Sequence, residues 1–182
     1  MSAYGEFLRG LVDDPKGVSA PTPSGPALSA AIAAKVDLKR PGLVVELGAG
    51  TGVITEALVE RGIAPSRLVV VESGEFFCKL LKRRFPAAHV VMGDAFCFED
   101  YLPPSARIAA IVCGVPLLNF PPMMREALIA RGLDAQGPGG RFIQLSYGWK
   151  PAVPPGPDLA VKKSVVWRNL PPAHVWTYRR PA

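Results

Sequence analysis

Short apolar runs alternate with helix-compatible segments along most of this chain. The apolar runs predict seven strands, at residues 43–47, 68–72, 89–92, 108–113, 141–147, 160–167 and 174–180. Segments with helical periodicity predict helices at residues 4–12, 26–39, 53–61, 75–85 and 122–131. Strands that alternate with helices form a parallel sheet, but the last two strands are too close in sequence for a helix between them. The pattern therefore predicts an α/β fold whose last strand is antiparallel.

A glycine-rich turn follows the first predicted strand. Gly48, Gly50 and Gly52 alternate directly after the acidic residue Glu46. Glycine permits a sharp turn and lets a ligand lie against bare backbone. The spacing G-x-G-x-G differs from the dinucleotide fingerprint, and no Lys-Ser or Lys-Thr pair follows as in a phosphate loop. An ordinary strand–helix connection is the alternative interpretation.

Acidic residues also end the second and third predicted strands. Glu72 lies 20 residues after Gly52, which is the offset expected for a carboxylate that binds ribose hydroxyls. Asp94 follows the third strand, where it can accept a hydrogen bond from an adenine amino group. Ser73, Gly93 and Ala95 flank the two acids, and we assign them to the same pocket. A nucleoside pocket without phosphate-binding charge fits S-adenosylmethionine as the cofactor.

Composition favours one folded domain. The 182 residues are 49% hydrophobic, which is enough to bury a core without disulfides or metal. No apolar run reaches the roughly 18 residues of a membrane span, and residues 1–9 do not resemble a secretion signal. Cys78, Cys97 and Cys113 are scattered and odd in number, which indicates reduced thiols in a cytoplasmic protein. We predict no metal site.

The positive charge is concentrated at one end of the chain. Residues 141–182 contain seven Lys or Arg and one Asp, which accounts for the whole net charge of +6. Such a basic end suggests nucleic acid or an anionic membrane surface as partner. Edge strands that use Lys and Arg to resist aggregation are the alternative. The apolar face of helix 4–12 is compatible with a membrane interface or with a cover over the cofactor pocket.

The segment after the fourth strand bears on the methyl acceptor. Enzymes that methylate adenine amino groups have a polar residue and then an aromatic residue here. This chain has Cys113 and Leu117 in those positions, so stacking on a flipped base would be weakened. The rest of the segment, residues 115–124, is largely apolar and suits an oily substrate. Packing onto the following helix is the alternative.

Several motifs together resemble bacterial phospholipid N-methyltransferases, a family of class I S-adenosylmethionine-dependent methyltransferases. The motifs are FLRG at residues 7–10, the segment 14–24, GAGTG at 48–52, GVPLL at 114–118, QLSYG at 144–148 and RNLPPA at 168–173. The resemblance implies a Rossmann-like fold with a seven-stranded, mostly parallel sheet and helices on both faces. It also implies stepwise methylation of phosphatidylethanolamine to phosphatidylcholine. A more distant likeness to rRNA adenine dimethylases covers only the cofactor half.

The resemblance assigns parts to the chain. Glu46 with the glycines would form the first cofactor motif, and Glu72 and Asp94 the second and third. Residues 1–40 would form a helical cap or membrane-docking segment, and residues 41–182 the catalytic core of a single domain. The enzyme would associate peripherally with the inner face of the cytoplasmic membrane, and nucleic acid would be an unlikely partner. An rRNA adenine or a small-molecule amine remains the alternative acceptor.

The amine has to be positioned by residues at the ends of the fourth and fifth strands. Tyr147, at the tip of the fifth strand, is the best-placed polar group to hold the amine or take its proton, with a pocket wall as the alternative role. The backbone around Cys113, Gly114 and Pro116 is expected to orient the amine hydrogens. Cys113 is also assigned to the cofactor pocket.

Overall fold

The computed structural model describes residues 25–181. The predicted helix at residues 4–12 and most of the segment assigned as a cap lie outside this range. The elements, in chain order, are α1 (Pro26–Ala33), β1 (Leu43–Leu47), α2 (Val53–Glu60), β2 (Leu68–Glu72), α3 (Glu75–Arg84), β3 (His89–Met92), β4 (Ile108–Cys113), α4 (Pro122–Gln136), β5 (Phe142–Ser146), β6 (Ala160–Val166) and β7 (Ala173–Arg179). Three 3₁₀ segments, Pro65–Arg67, Ala95–Tyr101 and Leu117–Asn119, lie in the connections.

All seven strands form one sheet in the order β3-β2-β1-β4-β5-β7-β6. Strands β1 to β5 are parallel, and β7 is antiparallel to both of its neighbours. The predicted mostly parallel sheet with an antiparallel last strand is therefore confirmed. Because β7 runs against the others, its first residue lies at the same edge as the carboxyl ends of β1 to β6.

Helices cover both faces of the sheet. Helices α1, α2 and α3 bury Leu28, Leu58 and Leu81 against one face, and α4 buries Leu128 and Leu133 against the other. The central strands are apolar on both sides because both faces are covered, as is usual for parallel sheets. This arrangement leaves the carboxyl edge of the sheet as the place for a ligand.

Two helices differ from their predicted lengths. Helix α1 ends at Ala33 rather than at residue 39, and Asp37 accepts a hydrogen bond from the Lys39 backbone at 3.0 Å in the turn that follows. Helix α4 continues to Gln136 rather than ending at residue 131. It continues through Gly132, where a Cβ would lie only 2.8 Å from the Phe142 ring, so this glycine allows α4 to pack closely on β5. Within residues 25–181, no helix has the length and hydropathy needed to cross a membrane.

Candidate active site

A cavity of about 210 Å³ opens at the carboxyl edge of the sheet. In parallel α/β sheets, ligands bind outside this edge. Its walls come from four strand ends: Gly48 and Gly50 after β1; Val71, Glu72, Ser73 and Phe77 at and after β2; Gly93, Asp94, Ala95 and Phe96 after β3; and Gly114, Val115, Pro116 and Phe120 after β4. The structure thus brings together Gly48, Gly50, Glu72, Ser73, Gly93, Asp94 and Ala95, the residues assigned to a nucleoside pocket, with Gly114 and Pro116 from the acceptor side.

The glycine turn presents its backbone to this cavity. Gly50 has a φ of +53°, a conformation that side-chain-bearing residues rarely adopt. A Cβ on Gly50 would meet no atom of residues 25–181 within 4 Å. In the part of the chain that the structure describes, the space beside Gly50 is therefore open to a ligand.

Glu72 connects the end of β2 to the glycine turn. Its Oε2 accepts a hydrogen bond from the Gly50 backbone at 2.8 Å, and its Oε1 accepts one from the Gly74 backbone at 2.8 Å. Ser73 lies beside the same carboxylate, with its hydroxyl 3.5 Å from Oε1. A carboxylate has about four acceptor positions, so two backbone bonds leave capacity for ligand hydroxyls. The Glu72 side chain is thus both oriented and able to bind.

Asp94 shapes the opposite wall. Its Oδ1 accepts a hydrogen bond from the Phe96 backbone at 2.9 Å, and its own backbone N–H donates to the Tyr101 hydroxyl at 3.0 Å. Gly93 packs against Tyr101 so closely that a Cβ would lie 2.4 Å from its ring. These contacts fix the start of the Ala95–Tyr101 segment against the cavity.

The side of the cavity formed by the loop after β4 is apolar, and we call it the acceptor side because this loop is expected to receive the methyl acceptor. Val115, Pro116 and Phe120 line it, and the Phe120 ring lies 4.9 Å from that of Phe96. Gly114 backs onto the glycine turn, since a Cβ there would lie 2.6 Å from the Gly48 carbonyl oxygen. The absence of a side chain at this position therefore brings the loop after β4 against the loop after β1.

Glu46 does not reach the cavity, in contrast to its assigned place in the cofactor site. It is fully buried, and its Oε2 accepts a hydrogen bond from the Thr55 hydroxyl at 2.7 Å, while Oε1 has no partner within residues 25–181. Burial raises the pKa of Glu46 to about 7; the Thr55 bond opposes this shift and the charge of Glu72 adds to it. In the parallel register Glu46 pairs with Val70, two residues before Glu72, so it lies beneath the turn. In this structure Glu46 links β1 to α2.

Gly52 and Cys113 also lie away from the cavity walls. A Cβ on Gly52 would lie 2.7 Å from Leu81, so this glycine permits close packing of α2 against α3. Cys113 is fully buried, and its Sγ lies 3.9 Å from the Val115 carbonyl oxygen. Burial raises the pKa of Cys113 to about 12, so its thiol stays neutral. The structure therefore gives Cys113 no contact with the pocket.

Tyr147 lies at the correct edge of the sheet but not among the cavity residues. Its ring packs against the apolar cluster on the face covered by α1 to α3. Leu117, in the loop considered for an oily substrate, is fully buried in the core of the other face. The acceptor side of the cavity is thus formed by neighbours of Leu117 and not by Leu117 itself. The position of Tyr147 does not support the amine-holding role assigned to it.

Sequence reasoning missed Phe77 and Phe96. Both follow an acidic strand end by a few residues, Glu72 in one case and Asp94 in the other. Helical segments that start after parallel strands point their first residues toward the carboxyl edge, and this rule could have indicated both aromatic side chains. They make the cofactor side of the cavity partly aromatic.

Comparison with known sequences places this geometry among methyltransferases. The family model described as ribosomal RNA adenine dimethylase matches residues 25–103. An ornithine lipid N-methyltransferase of Singulisphaera acidiphila is 32% identical over 129 residues, which cover 68% of this chain and 67% of that protein. A ribosomal RNA small subunit methyltransferase A of Synechococcus is 34% identical over 91 residues, 48% of this chain and 30% of the relative.

Solved structures support the same fold. The Burkholderia thailandensis 1,6-didemethyltoxoflavin-N1-methyltransferase, with bound 1,6-didemethyltoxoflavin and S-adenosylhomocysteine, superposes with a TM-score of 0.69 at 20% identity. That match covers 100% of this chain and 92% of the other. TrmN from Thermus thermophilus gives a TM-score of 0.68 at 20% identity and covers 86% of this chain and 49% of TrmN.

Proposed function

Since this chain belongs to the class I S-adenosylmethionine-dependent methyltransferases, we propose that it methylates the amine of a phospholipid head group, phosphatidylethanolamine in the first place. The observation that carries the proposal is the apolar acceptor wall of Val115, Pro116 and Phe120 beside the cofactor cavity. The likeness to an ornithine lipid N-methyltransferase over two thirds of both chains also supports an amino-lipid acceptor.

The cavity residues fit S-adenosylmethionine. Glu72 is held by two backbone N–H groups with acceptor positions left for ribose hydroxyls, and the open space at Gly50 admits a ligand against the turn. Asp94 with Phe96 and Phe77 would surround the base, since an aromatic wall and a nearby acceptor suit adenine. Within residues 25–181 no Lys or Arg lines the cavity, in keeping with a ligand that carries no phosphate.

The chain's own residues act by positioning and desolvation. When bound, S-adenosylmethionine supplies an activated methyl group on a sulfonium centre. The acceptor amine must be neutral, because a protonated amine has no lone pair for the displacement. The wall of Val115, Pro116 and Phe120 favours the neutral amine, since removal from water disfavours the charged form. Holding the amine in line with the methyl group and excluding water then account for the rate.

An RNA acceptor is favoured by the ribosomal RNA methyltransferase relative, which covers 48% of this chain, and by the family model that matches residues 25–103. That match ends before β4 and therefore covers the cofactor half without the acceptor loop. In the loop itself Cys113 and Leu117 are both fully buried, so neither offers a polar or stacking contact to a flipped base. These positions support a lipid over an adenine acceptor.

The hairpin between β6 and β7 supports membrane docking at the same edge. Its tip exposes Trp167 and Leu170, with relative exposures of 71% and 87%, and the basic Arg168 lies between them. Asn169 holds this tip to the start of α1, because its Oδ1 accepts a hydrogen bond from the Gly25 backbone at 3.1 Å. Exposed Trp and Leu beside a cation are typical of a surface that enters the lipid interface. We therefore propose peripheral binding to an anionic membrane through this tip.

The direct test is methyl transfer from labelled S-adenosylmethionine to phosphatidylethanolamine vesicles. Parallel reactions contain ornithine lipid vesicles, RNA or free ethanolamine as acceptor. Phosphatidylcholine vesicles are the control, because their head group has no amine hydrogen to replace. We expect label in phosphatidylethanolamine and its methylated products.

The outcomes separate the candidate acceptors. If the label appears only in ornithine lipid, the protein still methylates an amino-lipid, but phosphatidylethanolamine is not its substrate. Label in RNA, with none in lipid, overturns the proposal in favour of a nucleic-acid enzyme. Label only in ethanolamine points to a soluble amine substrate.

A further inference from the structure

A row of side chains crosses the sheet from Cys113, the residue that precedes the cavity residue Gly114. In the strand register Cys113 pairs with Gln144, Gln144 with Trp176, and Trp176 with Lys163. Because side chains alternate across a strand, Gln144, Trp176 and Lys163 share the face covered by α4. His174 lies two residues before Trp176 on the same face, at the carboxyl edge.

Three of these side chains are buried with N–H groups that have no acceptor. Gln144, Trp176 and His174 have relative exposures of 0%, 5% and 1%. Among residues 25–181, Gln144 Nε2, Trp176 Nε1 and both ring nitrogens of His174 find no hydrogen-bond partner, and the Gly148 backbone lies near the His174 ring without forming a hydrogen bond. Buried polar groups are normally paired, and an unpaired one costs about 1–3 kcal/mol. Several together indicate a ligand that supplies the missing acceptors.

The orientation of the Gln144 amide is set by Tyr178. The Tyr178 hydroxyl accepts a hydrogen bond from the Ala152 backbone at 2.9 Å and donates to Gln144 Oε1 at 3.0 Å. The amide nitrogen of Gln144 is therefore the group left without a partner. Amide nitrogen and indole nitrogen are donors only, so both require an acceptor from elsewhere.

Lys163 and Trp149 cover this row. The Lys163 ammonium lies 5.1 Å from the Trp149 ring centroid and 5.2 Å from that of Trp176, and the Trp149 ring lies 5.0 Å from that of His174. Both covering side chains are exposed, and exposed side chains change rotamer on a fast timescale. Lys163 adds a positive charge to the unpaired N–H groups.

The row adjoins the cavity through the segment after β5. A Cβ on Gly148 would lie 2.3 Å from Leu118 Cδ1, so this segment touches the loop that carries Pro116 and Phe120. The row and the apolar wall therefore lie on segments that touch, as a head group that carries both an amine and an anion requires.

We propose that Gln144, Trp176, His174 and Lys163 form an oxyanion subsite that binds the negatively charged group of a zwitterionic amino-lipid head group. The inference rests on the proposed function and deepens it. The Gln144 amide nitrogen and the Trp176 indole nitrogen are donors only, a neutral His174 offers one further N–H, and together with one lysine they match the oxygens of a phosphate or a carboxylate. Phosphatidylethanolamine carries the former and an ornithine lipid the latter. An ammonium is excluded as the occupant, because it would meet Lys163 and N–H groups of the same polarity.

The first test observes the indole N–H resonances of ¹⁵N-labelled protein. The chain has three tryptophans, and Trp176→Phe identifies the resonance of interest. O-phosphoethanolamine and Nα-acetylornithine are titrated in parallel at constant ionic strength, with sodium chloride as the reference. We expect a saturable shift of the Trp176 resonance with at least one of the two probes. The probe that binds tells phosphate from carboxylate.

The single variants Lys163→Met and Lys162→Met form a test and its matched control. The two lysines are consecutive and exposed, but only Lys163 lies over the tryptophan rings. Loss of one charge-assisted bond should raise the dissociation constant of the probe about tenfold in Lys163→Met, and Lys162→Met should leave it unchanged. No Trp176 shift with either probe, or equal effects of the two substitutions, overturns the subsite.

A kinetic test links the subsite to the lipid. Trp176→Phe removes the indole N–H and keeps an aromatic ring. It should raise KM for phosphatidylethanolamine vesicles about fivefold to tenfold, with kcat within about twofold. Lys163→Met should do the same if Trp176→Phe folds poorly.

The two hypotheses fail in different ways. Normal lipid methylation with unchanged KM in both variants overturns the subsite and leaves the proposed function standing. Probe binding without methylation of any lipid overturns the proposed function and the head-group role.

Discussion

Replacement of Glu72 by alanine tests the cofactor cavity most directly. The Glu72 carboxylate accepts two backbone hydrogen bonds of 2.8 Å, from Gly50 and Gly74, and Glu72 lines the cavity. Losing a charged acceptor to ribose hydroxyls should weaken S-adenosylmethionine binding by about 1–3 kcal/mol, or about 5- to 150-fold. The two backbone N–H groups lie beside the cavity, where water can replace the carboxylate, so the domain should stay folded.

Calorimetric titration with S-adenosylmethionine and with S-adenosylhomocysteine measures the loss, and thermal unfolding checks the fold. Glu75→Ala is the matched control, because it removes the same charge three residues later. Glu75 is exposed and forms an ion pair of 2.6 Å with Lys79. Its replacement should leave cofactor affinity unchanged. An unaltered affinity in folded Glu72→Ala, or equal losses in the two variants, would refute the reasoning.

Three further predictions follow from the geometry. Gly50→Val should abolish S-adenosylmethionine binding in a calorimetric titration, because the valine side chain would occupy the open cavity. Gly62 also has a positive φ and open surroundings, so Gly62→Val should introduce similar backbone strain but keep cofactor binding. Trp167→Ala with Leu170→Ala should reduce the salt-resistant part of vesicle co-sedimentation, and an unchanged bound fraction would exclude the β6–β7 tip from docking. Glu46 has a pKa raised from 4.5 to about 7, so the folded protein retains a proton that the unfolded chain releases, and stability falls as pH rises from about 4.5 to about 7 and then levels. Glu46→Gln should make this decrease in the free energy of unfolding about 2–3 kcal/mol smaller, as urea unfolding at about pH 5 and pH 8 would measure. An identical pH dependence in both proteins would contradict a raised pKa of Glu46.

The strand pattern could be predicted from the sequence because the central strands are buried on both faces. The run Leu68–Val71, for example, is apolar throughout and is followed by the acidic Glu72 where the chain reaches the carboxyl edge, so the predicted bounds of β2 agree with the structure. Helix ends were less predictable. From the sequence alone, Gly132 suggests that the helix ends before it. Only the distance to Phe142, on another element, explains why a glycine is kept inside α4.

Only those parts of the cofactor site that lie directly after a strand could be predicted from the sequence. Glu46 and Glu72 look equivalent in sequence, since each ends an apolar run. The pairing of Glu46 with Val70 places them at different depths, and this register depends on contacts between strands rather than on either strand alone. Cys113 was misplaced for a similar reason, because its position in the row between Leu47 and Gln144 buries it.

The bond between Asn169 and Gly25 limits how far the chain can be shortened from its amino-terminal side. Asn169 is buried, and its Nδ2 also donates to the Pro171 carbonyl at 2.7 Å, so one side chain joins the hairpin to residue 25. A truncation that begins at Pro26 would leave the buried Oδ1 of Asn169 without its donor. One that begins at Gly25 would put a charged ammonium in place of the peptide N–H. A minimal catalytic fragment should therefore keep at least one residue ahead of Gly25.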